Sequence, residues 1–233
     1  MNQLIGRFSM AAAMLFVAAG MARAGQITTL YSTGVADDGS ALANGAIDPH
    51  YTLTSTPGGS GYGPTAYVAD DTKYPLSGGP WVGNLSDARW IGPVADQTTI
   101  SGVTGSGYYV YKTTFDLTGF DPSTAHISGQ WSSDNPGEIY LNGVDTGIGT
   151  TGEYAYQSLH SLDIATGFIA GINTLEFRIY NIPISSNNPT GVIAQLCGTA
   201  AVPEPSSAAL GLIAIVGGLA VRKGMRGVRR PKG

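Results

Sequence analysis

The chain has 233 residues, one cysteine, 34 glycines, 13 prolines and a formal net charge of −4. A single cysteine excludes an internal disulfide framework, and with three scattered histidines it offers no zinc-ligand spacing. Over residues 25–201 only Lys73, Arg89, Lys112 and Arg178 stand against fifteen acids, a net of −11 that argues against binding nucleic acid or an anionic membrane surface and suits neutral sugars or divalent cations.

The first 24 residues have the layout of a signal peptide. Arg7 supplies the positive charge, residues 8–21 are apolar and small, and Ala22-Arg23-Ala24 is an A-x-A site for signal peptidase, so the mature chain is expected to begin at Gly25. A retained membrane helix is the alternative, and the short apolar run speaks against it. Residues 25–201 have the length of one domain.

Between these ends, turn residues recur about every ten positions and separate short runs rich in Tyr, Val, Ile, Thr and Phe. No segment keeps a helical stripe over three turns, and no internal repeat is visible. The pattern predicts an all-β, antiparallel sandwich. The first part is loop-heavy, with strands expected at 27–31, 51–54 and 66–69. The glycine-rich stretch 58–64 reads as a flexible loop, because no Lys-Ser/Thr follows it to cradle phosphate. The second part alternates more cleanly. Strands are expected at 107–117, with Tyr109 and Tyr111 packed on one face, and at 125–132 after a turn at Asp121-Pro122. The next is 138–141, followed by Asn142-Gly143, a type I′ hairpin signal. Residues 162–164 and 168–173 lead to 174–181, where Leu175, Phe177 and Ile179 share one face and Glu176, Arg178 and Tyr180 the other. A strand at 191–196 closes the sheet. Cys197 is expected to be a free, buried thiol.

The tail has three blocks. Val202-Pro203-Glu204-Pro205 is a stiff spacer. Residues 206–221 are uncharged and span roughly 24 Å as one transmembrane helix. Arg222, Lys223 and further basic residues hold that end in the cytoplasm. This order resembles the PEP-CTERM sorting signal of Gram-negative bacteria, with Pro203, Glu204, Pro205, Arg222 and Lys223 on its signature positions. The resemblance covers residues 202–233 and implies processing by an exosortase at or near Pro-Glu-Pro. The protein would be an inner-membrane-anchored precursor, then a component of the cell envelope or extracellular matrix. An ordinary C-terminal anchor is the plainer alternative.

Residues 107–199 resemble the galactose-binding-like jelly roll. The phrases that carry this are Thr114-Phe115-Asp116-Leu117, Ile139-Tyr140-Leu141-Asn142-Gly143, the run from Ala170 to Ile179, and Pro189-Thr190-Gly191-Val192-Ile193. The resemblance implies sugar binding in many members and protein contacts in others.

Sugar binding asks for an aromatic platform with planar polar groups beside it. The aromatic candidates are Trp131, Trp90, Trp81 and Tyr140; Trp90, beside Ile91, reads as core. The expected site combines Trp131, Asp134, Asn135, Tyr140 and Arg178. A structural calcium is the metal candidate, through Asp37, Asp38, Asp70 and Asp71, and the alternative for these acids is plain solvation. Catalysis finds less support. There is no Gly-x-Ser-x-Gly elbow for a triad, and Glu176 looks like a surface partner of Arg178. The sequence therefore predicts an exported, non-catalytic protein, gripping exopolysaccharide through its sandwich. The alternatives are a structural or adhesive domain working through protein contacts, and an exopolysaccharide hydrolase.

Overall fold

The computed structural model describes residues 23–203. The leader through residue 22, and the tail from Glu204 with Pro205, the 206–221 segment, Arg222 and Lys223, lie outside them. Among the described residues no helix is long and apolar enough to cross a membrane.

Among the described residues there are eleven antiparallel strands: β1 (Arg23–Gln26), β2 (Ile47–Ser55), β3 (Thr65–Val68), β4 (Ile91–Gly92), β5 (Gly107–Asp116), β6 (Asp121–Asp134), β7 (Gly137–Leu141), β8 (Val144–Thr150), β9 (His160–Ile164), β10 (Ile172–Asn181) and β11 (Gly191–Val202). Their order is β8-β7-β10-β5-β2-β3-β4-β11-β6-β9, with β1 also on β11. Pairing is dense at both ends of this path and thin in the middle, where β4 meets β11 only through Ile91 and Val192. There the sheet folds over itself. One layer is β8-β7-β10-β5-β2, and the other centres on β11, β6 and β9.

Period-2 alternation explains why these layers face each other. Leu175, Phe177 and Ile179 of β10, with Tyr109, Tyr111 and Phe115 of β5, are fully buried. They meet Ile127 and Trp131 of β6, Val192 and Ala194 of β11, and Leu162 and Ile164 of β9 in one cluster. Trp131 and Phe177 bring the layers together, with ring centroids 5.8 Å apart. Burying side chains of this size contributes about 1.5–3 kcal/mol each.

The hairpin after β7 forms at the expected pair: Asn142 has φ 52° and Gly143 φ 79°, the double positive φ of a type I′ turn. Asn142 is also tied across the sheet. Its Oδ1 accepts from Thr174 N at 2.9 Å, and its Nδ2 donates to Asn173 Oδ1 at 2.8 Å. Asn173 in turn clamps the turn before β10, donating to the Ile169 and Gly171 carbonyls.

Four expectations are corrected. Residues 27–31 are not a strand: Leu30 N turns back onto Ile27 O, and Ile27 and Leu30 plug the core from a loop. The turn before β6 lies at 117–120, where Phe120 N donates to Leu117 O, and Asp121 already belongs to the strand. Strand β11 does not close an edge; it is central, flanked by β6 on one side and by β1 and β4 on the other. Cys197 is exposed, since it takes the outward parity of β11 where nothing covers that face.

A second, smaller cluster lies outside the sandwich. Ile193 points outward from β11 and is covered by Ala69, Trp81, Ala88 and Trp90 of the preceding loops. The indoles of Trp81 and Trp90 stack with centroids 4.0 Å apart. This cluster fixes one end of the 70–90 loop against the sheet.

Candidate functional site

At the end of the sandwich where β6, β8 and β10 finish and β7 and β11 begin, four loops meet around a recess of about 190 Å3. Tyr74 and Trp81 come from the 70–90 loop, Asp134 and Asn135 from the β6–β7 turn, Glu153 and Tyr156 from the β8–β9 connection, and Asn187 and Asn188 from the β10–β11 loop.

The walls are locked by hydrogen bonds that leave little slack. Asn135 is a strut: its Nδ2 donates to Glu153 O and its Oδ1 accepts from Ile182 N, both at 2.9 Å. Ser132 Oγ donates to Ala155 O at 3.0 Å, Thr190 Oγ1 to Asp134 O at 2.7 Å, and Val82 N to Tyr156 O at 2.8 Å. A loop set tied down in this way is pre-organised and loses little entropy on binding.

Asp134 is the chemical centre. It takes the outward parity of β6, opposite to Trp131, and is only 5% exposed. Trp81 Nε1 donates to its Oδ2 at 2.7 Å. No cation among the described residues pairs with it. Burial raises its carboxyl to about 8, and the Trp81 N–H offsets only part of that rise. Tyr156 nearby is pushed up to about 12 by burial first and by the Asp134 charge next. A buried carboxyl with no counter-ion costs stability, and a strongly perturbed acid in a cleft is a candidate functional group.

The expected residues divide among three places. Asp134 and Asn135 both line the recess, the first with a carboxyl bonded by Trp81 and the second as a strut. Trp131 is corrected: it is wholly buried in the sandwich core, where it meets Phe177, and it cannot stack on a ligand. Tyr140 and Arg178 line no part of the recess and lie on the outer face of the first layer, where they satisfy each other. The Arg178 guanidinium sits 3.6 Å over the Tyr140 ring and donates to Glu176 at 2.7 Å. The aromatic side chains that line the recess are Trp81, Tyr74 and Tyr156.

The four acids expected for calcium do not come together. Asp70 accepts from Asn44 and Thr72, and Asp71 from Asn44, Asn84 and Arg89. Those donors leave Asp70 and Asp71 as loop ties. Asp37 lies 3.4 Å from His50, and Asp38 Oδ1 accepts from Ser40 N. Among the described residues no three acidic, histidine or cysteine side chains converge as a metal site. A larger hollow of about 400 Å3 beside Tyr62 and Tyr67 has no acidic or basic side chain in its wall.

No family model matches the chain, and no curated protein matches it in sequence. Among solved structures it is similar to a family 35 carbohydrate binding module from Clostridium thermocellum, at 10% identity and a TM-score of 0.33, covering 76% of this chain and 98% of that one. It is similar to CBM35 from Paenibacillus barcinonensis, at 13% identity and a TM-score of 0.32, covering 67% and 94%. It is also similar to 23% of a beta-glucosidase from Kluyveromyces marxianus, at 11% identity and a TM-score of 0.30, over 71% of this chain.

Proposed function

We propose that this is an exported, non-catalytic envelope or matrix protein that binds polysaccharide at the loop-end recess of a galactose-binding-like jelly roll. The jelly-roll reading is supported by the path of the chain: β5, β6, β7–β8, β9, β10 and β11 alternate between the two layers. The binding reading rests on one observation, a nearly buried carboxyl with no counter-ion among aromatic and amide side chains. That combination offers apolar ring contact with a few fixed polar groups, as sugar sites require. The export reading rests on the leader and the Pro-Glu-Pro tail of the sequence, with signal peptidase and an exosortase as processing partners.

The test is retention of the full chain in detergent-containing native gels cast with different polysaccharides. Selective retardation is expected, and it should be lost in Tyr74→Ala, whose ring is half exposed and removable without loss of fold. No retardation by any polysaccharide would move the reading to a structural domain acting through protein contacts.

One observation favours a second reading. Asp134 and Glu153 line the same recess, and an acid raised to about 8 is a proton donor at neutral pH, as glycoside cleavage requires. Release of reducing ends from a retained polysaccharide, abolished by Asp134→Asn, would establish an exopolysaccharide hydrolase. Retention without release keeps the non-catalytic reading.

A further inference from the structure

We infer that the recess selects glycans carrying a free amine, seating the ammonium group of an amino sugar against the Asp134 carboxylate among Tyr74, Trp81 and Tyr156. This rests on the polysaccharide-binding reading and narrows its ligand.

The first support is charge. The recess wall holds two acids, Asp134 and Glu153, and no lysine, arginine or histidine. Among the described residues every lysine and arginine but Arg23, at the start of β1, is already engaged. Lys73 lies within 4.0 Å of Asp70 and Asp96, Arg89 of Asp71, and Lys112 and Arg178 of Glu176. None of those four residues lines the recess. The strongly acidic surface of residues 25–201 draws cations toward it.

The second support is the incomplete bonding of Asp134. Trp81 supplies one N–H to Oδ2, and among the described residues no side chain or backbone donor reaches Oδ1. A buried carboxylate is stabilised when a cation arrives with its own hydrogen-bond donors, and an ammonium group brings three. Aromatic side chains add cation–π attraction, which strengthens as water is excluded. The third support is size. A cavity of about 190 Å3 is smaller than the roughly 300–1,000 Å3 of drug-sized sites, so it admits one sugar residue or chain end. Exposed Asn187 and Ser186 at its edge offer partners for hydroxyl groups.

Ionisation is coupled to this binding. The titratable groups around Asp134 are Glu153, Tyr74, Tyr154 and Tyr156 of the loops and Tyr111 on the inner side; His160 bonds the Ala155 carbonyl behind the wall. The titratable side chains that line the recess with Asp134 are Glu153, Tyr74 and Tyr156, and none of them is a basic side chain. The arriving ammonium must therefore displace the proton of Asp134, and that proton goes to solvent.

The experiment is titration calorimetry of the full chain in detergent at about pH 6, where an amine of ordinary basicity stays charged. Three probes are compared: glucosamine oligomers, the same oligomers N-acetylated, and glucose oligomers. The glucosamine oligomer is expected to bind about tenfold tighter or better than the other two. Close to one proton should be released per site, read from the dependence of the heat on buffer. Asp134→Asn should abolish both the preference and the proton release while its circular dichroism and Tm show it folded. Glu153→Gln, exposed and without a structural bond from its side chain, should weaken the preference in part. Equal or tighter binding of the N-acetylated or glucose oligomers overturns the amine preference and leaves polysaccharide binding standing. No binding of the three, with retention of other polysaccharides in gels, also overturns it. Binding of a lysine-rich peptide as tight as that of the glucosamine oligomer overturns it in favour of a protein ligand.

Discussion

Glu176 and Asp134 both take outward-facing positions on a sheet, one in each layer, and their surroundings differ in kind. Glu176 is held by Arg178 at 2.7 Å and approached by Lys112 at 3.9 Å, and Arg178 is covered in turn by the Tyr140 ring. Every charge there has a partner, so the cluster is complete without a ligand. Asp134 is more deeply buried than any of them, and its one side-chain partner is a neutral indole N–H. A paired surface charge is close to neutral for stability, whereas a buried unpaired carboxyl is a liability that the fold tolerates. The sequence showed an aromatic residue near an acid at both places; only the pairing separates ornament of the surface from a site.

The largest effect should come from the tryptophan that sits beneath this contrast. Trp131→Ala removes the widest side chain between the layers and leaves a cavity, so it should cost about 3–5 kcal/mol in denaturant unfolding. A loss near zero, with sugar retention abolished, would return Trp131 to the binding surface. Asp134→Asn should act in the opposite direction. The folded carboxyl titrates at about 8 and the unfolded one near its ordinary value of 3.8. Between those values the unfolded chain has released a proton that the folded chain still holds, so stability falls as pH rises from about 4 to 8. The amide has no such slope. The variant should therefore be more stable than the parent by a few kcal/mol at pH 8 and converge with it near pH 4. Parallel stability–pH curves would mean that Asp134 has a counter-charge, and would erase its contrast with Glu176.

Local pattern made much of the sandwich legible and little of the recess. The alternation of Leu175, Phe177 and Ile179, the buried pair Tyr109 and Tyr111, and Asn142-Gly143 each act within a few residues. Their consequences can be read from a short window. Strand β8, with two glycines and mostly exposed side chains, has no apolar rhythm and left no signal. Residues 27–31 are rich in strand formers yet fold as a loop: Ile27 N bonds Gly198 O of β11, but Leu30 N turns back onto Ile27 O and breaks the ladder. Trp131 and Trp81 could not be told apart locally. Trp131 is flanked by Gln130 and Ser132, and Ser132 is buried only because the 155–157 turn covers the outer face of β6. The bond that defines the recess joins residues 53 apart, Trp81 and Asp134. No periodicity encodes that; a tryptophan in a Pro- and Gly-rich loop was the one available hint.

The remaining predictions test the satisfied side of the comparison, and their effects should be small. Arg178→Ala breaks an ion pair and a cation–π contact that are both part-exposed, so it should cost about 1 kcal/mol or less. Retention in polysaccharide gels should not change. If retention is lost with the fold intact, the Tyr140–Arg178 face is the binding surface and the recess is not. The smallest effect concerns metal. Asp70 and Asp71 are bonded by Asn44, Arg89 and Lys73, and those donors hold the loop that carries Tyr74 and Trp81. Adding a chelator should leave Tm where it was, while Asp71→Ala, which frees Asn84 and Arg89 and leaves Asn44 only its bond to Asp70, should lower it by an amount equivalent to about 1 kcal/mol. If the chelator lowered Tm as far as Asp71→Ala does, a cation would be sharing those carboxylates. The 70–90 loop would then be ordered by an ion, and sugar retention should be calcium-dependent to the same degree.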